Sequence, residues 1–290
     1  MEAAERPLPW PGTKTIMTSL ISWISFDSRG PTSIYLGSDS RISWQEMGNW
    51  DCGRKLFSTV NFPELLGYCG DVLFPSLSLG VAHNLIDTNY LFLRYDDPQK
   101  KKEKLFHFLK QGFSGYPKGQ VAQKSFSIIY CTKEHDLMSS VFHVYSLNWD
   151  QVNGFSEDKL TLPKKSGLIK AWGSGKDSIT KWHDRWQNTT EKGTSRSIFS
   201  SFCDSLASEE DKFSGGPPQL VGIYRKGNGR TIGIKYKGEL YAYGQKASEE
   251  NNLEEIEWRN TTFERIDYRT KDIIVDAQHH NKPKGLGFSR

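Results

Sequence analysis

The spacing of the apolar residues changes character several times along the chain, and the order of those changes restricts the fold more than any single residue does. Residues 15–26 and 32–38 carry β-branched and aromatic residues at a period near two around a turn segment at 27–31, which predicts a β-hairpin. Residues 54–60 and 65–69 flank Asn61-Phe62-Pro63 and predict a second pair. Between 71 and 94 the period of two is lost. Leu73, Leu77, Leu79, Val81, Leu85, Ile86, Tyr90 and Leu91 fit one helix there, with Gly80 as its internal breaker. Asp97-Pro98 opens a second helix carrying Leu105, Phe106, Phe108 and Leu109, which residues 112–117 end. Strands return at 125–131 and 139–147, then as a shorter pair at 160–162 and 167–172. Residues 177–187 and 195–207 read as helices, and 219–224, 230–235 and 239–243 as closing strands between glycine turns. Mainly antiparallel sheets with helices on their outer faces follow, an α+β class.

Composition removes other classes. At 290 residues, with 36% hydrophobic, 25% charged and 13% aromatic, the chain has the make-up of a globular protein with a real core. No run approaches the roughly 18 apolar residues of a membrane-spanning helix, so no membrane association is expected. Residues 1–14, with Pro7, Pro9 and Pro11, lack the apolar centre of a signal peptide and read as a flexible leader. The cytoplasm is the expected compartment. Cys52, Cys69, Cys131 and Cys203 form no Cys-x-x-Cys pair and have no histidines at ligand spacing, which predicts buried free thiols and no metal. The net charge of +4 comes from scattered lysines and arginines, which argues against nucleic-acid binding, and the run at 99–104 reads as a solvated helix start. Beyond Gly244 the chain is polar, with a weak strand pattern at 272–275 and a basic end that reads as a solvated terminus.

Short segments carry the candidate chemistry. Thr18-Ser19-Leu20-Ile21-Ser22-Trp23 opens the first strand, and Gly37-Ser38-Asp39-Ser40-Arg41 ends the second. Gly53-Arg54-Lys55-Leu56-Phe57 starts the third, with Lys55 sixteen residues after Asp39. Tyr68-Cys69-Gly70-Asp71 stands at a strand end before the first helix. Gly173-Ser174-Gly175 ends a later strand, and Asp211-Lys212-Phe213-Ser214-Gly215-Gly216 follows the second helix pair, Asp211 lying thirty-seven residues after Ser174. Singly each is ordinary: Asp39 and Lys55 read equally as a buried ion pair, Ser174 and Ser214 as loop hydrogen-bonding groups, and Gly215-Gly216 as a turn. In this order, at strand ends and helix starts, they resemble proteasome β subunits and the related bacterial HslV and Anbu peptidases, over roughly residues 18–243.

That resemblance implies a four-layer αββα sandwich of the N-terminal-nucleophile (Ntn) hydrolase kind, with a leader at 1–17, a hydrolase domain at 18–244 and an extension at 245–290. It implies Thr18 as the nucleophile, Asp39 and Lys55 beside it, Gly70 as the oxyanion donor, and Ser174, Asp211 and Ser214 around the α-amine. It further implies a substrate pocket of Ile42, Gly53, Phe57, Tyr68 and Val72, all uncharged, which suits an apolar or aromatic residue before the cut. Proteasome relatives assemble into rings, so a homo-oligomer acting on peptides or proteins is expected, with no cofactor. The chemistry is consistent with this. A threonine hydroxyl needs a base, and a free α-amine, with a pKa of about 7.7 to 8.0, supplies one if Thr18 is the first residue of the mature chain.

The sequence departs from the family in one place. Family precursors have a glycine before the threonine, where this chain has Met17. Translation starting at Met17 with removal of that methionine would expose Thr18, and so would another cut of the leader. Gly12-Thr13 is a Gly-Thr pair near the start, but Thr13 lies twenty-six residues before Asp39, against sixteen in the family. Thr18 lies twenty-one before it, an excess the turn at 27–31 is expected to absorb. If the leader stays attached, the chain reads as a non-catalytic binding or assembly subunit. A small-molecule amidohydrolase would keep the same residues as the peptidase.

Overall fold

The computed structural model describes residues 18–44, 48–93, 95–117, 125–248, 250–279, 282–283 and 285–286, so the expected leader lies outside the described residues. In chain order the first half holds β1 (Ser19–Asp27), β2 (Gly30–Ser38), β3 (Ile42–Ser43), β4 (Asn49–Trp50), β5 (Leu56–Ser58), β6 (Glu64–Gly70), α1 (Leu73–Asp87) and α2 (Pro98–Ser114). The second half holds β7 (Phe126–Glu134), β8 (Val141–Asp150), β9 (Gly154–Lys159), β10 (Gly167–Gly173), α3 (Lys176–Gln187) and α4 (Ser195–Ala207). It closes with β11 (Gln219–Tyr224), β12 (Gly229–Tyr236), β13 (Glu239–Ala242), β14 (Gln245–Lys246) and β15 (Glu257–Asn260).

Two large sheets organise the molecule. An eight-stranded sheet runs β10-β1-β2-β11-β12-β13-β14, with β15 parallel to β12, and a five-stranded antiparallel sheet runs β5 to β9 in sequence order. On β1, Leu20 and Ile24 face one side and Ile21 and Trp23 the other, and all are buried, as alternation requires of a strand covered on both faces. Leu20, Ile24, Ile34 and Leu36 meet Leu56, Leu65, Ile129 and Val144 in a core between the sheets. Ile21, Trp23 and Tyr35 meet Ile179, Phe199, Phe202 and Leu206 of α3 and α4. Leu66, Tyr68, Ile128 and Tyr130 meet Phe74, Leu79, Leu105, Phe106 and Leu109 of α1 and α2. Asp97 caps α2 by accepting the Lys100 N–H at 2.9 Å, with Pro98 opening the helix, as the sequence signal required.

Several elements differ from expectation, each for a visible reason. The turn at 27–31 is tight, since Asp27 pairs with Gly30, and the β1–β2 register shifts between Ser25 and Phe26. The strand expected at 160–162 forms upstream as β9, whose charged residues hide it from a period-two reading. Glu157 there pairs with Lys102 at 2.9 Å and Lys110 at 2.5 Å, which suits an edge strand that must not invite further pairing. Helix α1 stops at Asp87, where Thr88 closes back on Asn84 and Asn89 turns to a φ of 59°. The solvated helix start at 99–104 is only partly so, because Lys101 is buried and reaches Glu64 at 2.7 Å.

The segment after Gly244 is no solvated terminus. Trp258 of β15 is 3% exposed and packs with Leu240 and Ile266. Phe263 sits edge-on to Trp23 and Tyr35, and Lys282 reaches back to Asp204 of α4 at 2.6 Å. The weak strand at 272–275 shrinks to a single bridge between Ile266 and Ile273. Cys69, Cys131 and Cys203 are buried free thiols, and Cys52 is a half-buried one. No helix among the described residues is long and apolar enough to cross a membrane.

Candidate functional site

Strand ends build the site. Ser19 begins β1, and its carbonyl accepts the Asp39 N–H at 3.1 Å, which fixes Thr18 beside the segment leaving β2. The Asp39 carboxylate is fully buried and fully engaged. Its Oδ1 accepts the Ser19 N–H at 3.0 Å and Lys55 Nζ at 2.7 Å, and its Oδ2 accepts the N–H groups of Arg41 at 3.1 Å and Gly215 at 3.0 Å. Lys55 Nζ donates also to the Arg41 carbonyl at 2.5 Å. Burial pushes the Lys55 ammonium below the ordinary lysine range, and the charge of Asp39 opposes that shift.

A second cluster stands on the other side of Ser19. Ser174 Oγ and Ser214 Oγ both donate to Asp211 Oδ2, at 2.6 and 2.7 Å, and Ser19 Oγ donates to Ser214 Oγ at 2.8 Å. The Phe213 N–H donates to Asp211 Oδ1 at 3.1 Å. The glycines around Ser174 are there for close approach. A Cβ on Gly173 would fall 1.7 Å from the Thr18 carbonyl oxygen, and one on Gly175 would fall 1.8 Å from Ser19 Oγ.

Thr18 itself is 1% exposed, with φ at +115°, and its Oγ1 has no hydrogen-bond partner among the described residues. The expected approach of Lys55 to that hydroxyl is therefore not made as a hydrogen bond; the bonds of the ammonium go to Asp39 and to the Arg41 carbonyl. Gly70 ends β6 with φ at +97°. Tyr68 N–H donates to the Lys55 carbonyl at 3.3 Å, so strand alternation turns the Gly70 N–H toward the same side, beyond the start of β5.

The five pocket residues separate into groups. Phe57 and Tyr68 are buried in the core beneath α1 and α2, with Val72 packed against it, and Tyr68 OH reaches the Arg54 carbonyl at 3.2 Å. Ile42 instead lies over Gly53, where a Cβ would come within 2.5 Å of Ile42 Cδ1.

Sequence reasoning missed three participants. Ser19 joins both clusters. Gln219 takes the Lys55 N–H on Oε1 at 3.1 Å and gives Nε2 to the carbonyls of Asp39 at 3.1 Å and Gly53 at 2.8 Å. Asp51 pairs side-on with the Arg41 guanidinium at 2.8 and 2.9 Å. Of these only Ser19 had a signal, its place next to the candidate nucleophile; the partners of Gln219 lie too far along the chain for spacing to show.

No protein-family model matches the chain, and no curated protein matches it by sequence. Solved structures do. A subunit of the helical assembly of the Anbu complex from Pseudomonas aeruginosa is similar at a TM-score of 0.50 and 16% identity, over 81% of this chain and 89% of that one. Eukaryotic HslV from Trypanosoma brucei is similar at a TM-score of 0.44 and 13% identity, over 71% of this chain and 99% of that one. The fold is thus the proteasome-like one that the order of motifs implied.

Proposed function

We propose that this chain is a threonine-type Ntn hydrolase that cuts peptide bonds, built as a four-layer αββα sandwich. The three stacked cores support the layering. The observation that carries the activity is the fully hydrogen-bonded Asp39–Lys55 pair on one side of Ser19 and the Ser174–Asp211–Ser214 cluster on the other, both at the residue following Thr18. Such a pairing of a buried ammonium with a separate hydroxyl–carboxylate set suits a nucleophile whose base is its own α-amine.

In the reaction Thr18 Oγ1 attacks the amide carbon while its proton passes to the α-amine. Gly70 N–H receives the oxyanion, a donor worth about 3 to 4 kcal/mol in such sites. The C–N bond then breaks as the departing amine takes the proton. Water attacks the resulting ester by the same route, releasing the acid and restoring the hydroxyl. The residues that the resemblance assigns to the substrate pocket divide into Ile42 with Gly53 and the core-packed Phe57, Tyr68 and Val72, and all five are uncharged, which suits an apolar residue before the cut. A homo-oligomer in the cytoplasm fits this reading.

The leader at 1–17 must be removed for the amine to exist. Intact-mass measurement and peptide hydrolysis test the proposal together. The expected result is a mature chain starting at Thr18 whose activity falls by on the order of a thousandfold or more in Thr18→Ala. A stable chain starting at Met1, without hydrolase activity, would sink it in favour of a binding or assembly subunit. That second reading has one observation of its own, the Thr18 hydroxyl standing without a hydrogen bond from Lys55.

A further inference from the structure

Ser19 belongs to both halves of the site and neither makes nor breaks a bond in the proposed reaction. Its N–H holds Asp39 Oδ1 at 3.0 Å and its hydroxyl holds Ser214 Oγ at 2.8 Å. It is 1% exposed, and a Cβ on Gly175 would fall 1.8 Å from its Oγ, so position 175 must be glycine for Ser19 to sit there. The direction of the hydroxyl chain is dictated by its end. Asp211 as a carboxylate only accepts, so the Ser174 and Ser214 protons are committed to it, and Ser214 can then only accept from Ser19. The Ser19 oxygen is left with its lone pairs as the acceptor end of a chain that begins one residue from Thr18.

We propose that Ser19 is a positioning residue of this site, which through Ser214 carries the negative charge of Asp211 to the Thr18 α-amine and so sets that amine's orientation and proton affinity. The inference rests on the amide-hydrolase reading and extends it. Other charges facing the position are few. Asp39 and Lys55 stand on the β2–β5 side and already satisfy each other. Arg41 is tied to Asp51, and Lys176 and Asp177 at the start of α3 are exposed. The Cys69 thiol of β6 is pushed up to about 12 by burial and stays neutral.

The sign is fixed by the chain. A hydrogen-bonded acceptor polarised by a carboxylate favours the protonated amine, so removing it lowers the amine's pKa and moves the acid limb of kcat/KM to lower pH. Mature wild type, Ser19→Ala and Ser19→Thr should be compared on a peptide amide, with intact mass confirming Thr18 at each N-terminus. Ser19→Ala is expected to lower kcat/KM about tenfold and shift the acid limb down by about one pH unit. Ser19→Thr should restore both. A loss in Ser19→Ala with an unmoved acid limb would assign Ser19 to packing alone and overturn the proposal.

A readout free of catalysis separates the two levels of inference. Reductive methylation with 13C-formaldehyde labels the Thr18 amine for NMR titration. The wild-type amine should titrate above that of Ser19→Ala, and coincident curves would overturn the role of Ser19 whether or not the chain is active. A wild-type chain with a free Thr18 that hydrolyses no amide would instead overturn the proposed function, with the titration still deciding on Ser19. Should Ser19→Ala fail to fold, Ser19→Cys, a poorer donor of similar size, takes its place with the same expected directions.

Discussion

Asp39 and Lys55 show how a single pair can hold a site together. Each side chain is 0% exposed, and taking either charge out of water is costly unless the partner and further hydrogen bonds answer it. Here they do, through the N–H groups of Ser19, Arg41 and Gly215 and the Arg41 carbonyl. Replacing Lys55 by Met would leave a buried carboxylate without its cation, and we expect a loss of about 3 to 5 kcal/mol by urea unfolding, with activity abolished. The pH dependence has a definite sign. Burial lowers the folded pKa of Lys55 below the unfolded value of about 10.4, so between the two the unfolded chain binds more protons. The Lys55 contribution to stability is present above that unfolded value and is lost as pH falls through the folded one. The wild type should therefore gain stability on Lys55→Met as pH rises through that window, and equal slopes at every pH would contradict it. The sequence carried this pair through the resemblance, whose spacing of sixteen residues Asp39 and Lys55 match. It could not carry Gln219, whose bonds to Asp39 and Lys55 depend on where β11 docks against β2 and β5.

At the scale of elements, strand ends decide which backbone groups face the site. Gly70 closes β6 at φ +97°, and a Cβ there would lie 2.3 Å from the Ser125 carbonyl oxygen and 2.9 Å from Phe126 Cα. Both are backbone atoms of the neighbouring strand's entry, so neither can swing aside. Gly70→Ala is expected to cost about 1 to 3 kcal/mol and, on the proposed role of its N–H as oxyanion donor, to lower kcat more than it raises KM. A variant with wild-type kcat and Tm would remove Gly70 from the site. Glycine at this place was legible only through the resemblance, which puts one at the strand end before the first helix, whereas β1, β2 and α2 were legible from their own periodicity or caps. The limits of that reading are equally physical. Charged β9 follows no period-two rule because it is an edge, and the hairpin at 27–30 is tighter than its Asp-Ser-Arg-Gly-Pro composition suggested because Asp27 already pairs with Gly30 beyond a register shift at Ser25/Phe26.

For the molecule as a whole, the segment after Gly244 changes what counts as the folding unit. A polar composition pointed to a solvated tail, but polarity there masks a few well-placed aromatic anchors. Trp258 lies over Gly233, whose missing Cβ would otherwise sit 2.3 Å from the indole, and β15 pairs with β12 across it. Phe263 then reaches the rings of Trp23, Tyr35 and Phe199 in the core under α3 and α4. Because Trp23 and Tyr35 belong to the same β1–β2 hairpin that ends at Ser19 and Asp39, the extension braces the hairpin from the face opposite the inter-sheet core. Trp258→Ala should cost about 3 to 5 kcal/mol, the usual loss for a buried aromatic, and lower Tm by roughly 10 °C. A shift of a degree or two would show that residues 245–290 ride on an independently stable body. Because the extension acts by bracing, the same substitution also lowers kcat/KM in proportion to the fraction unfolded at assay temperature, and cooling the assay restores it, whereas a direct role in catalysis would leave a deficit at every temperature.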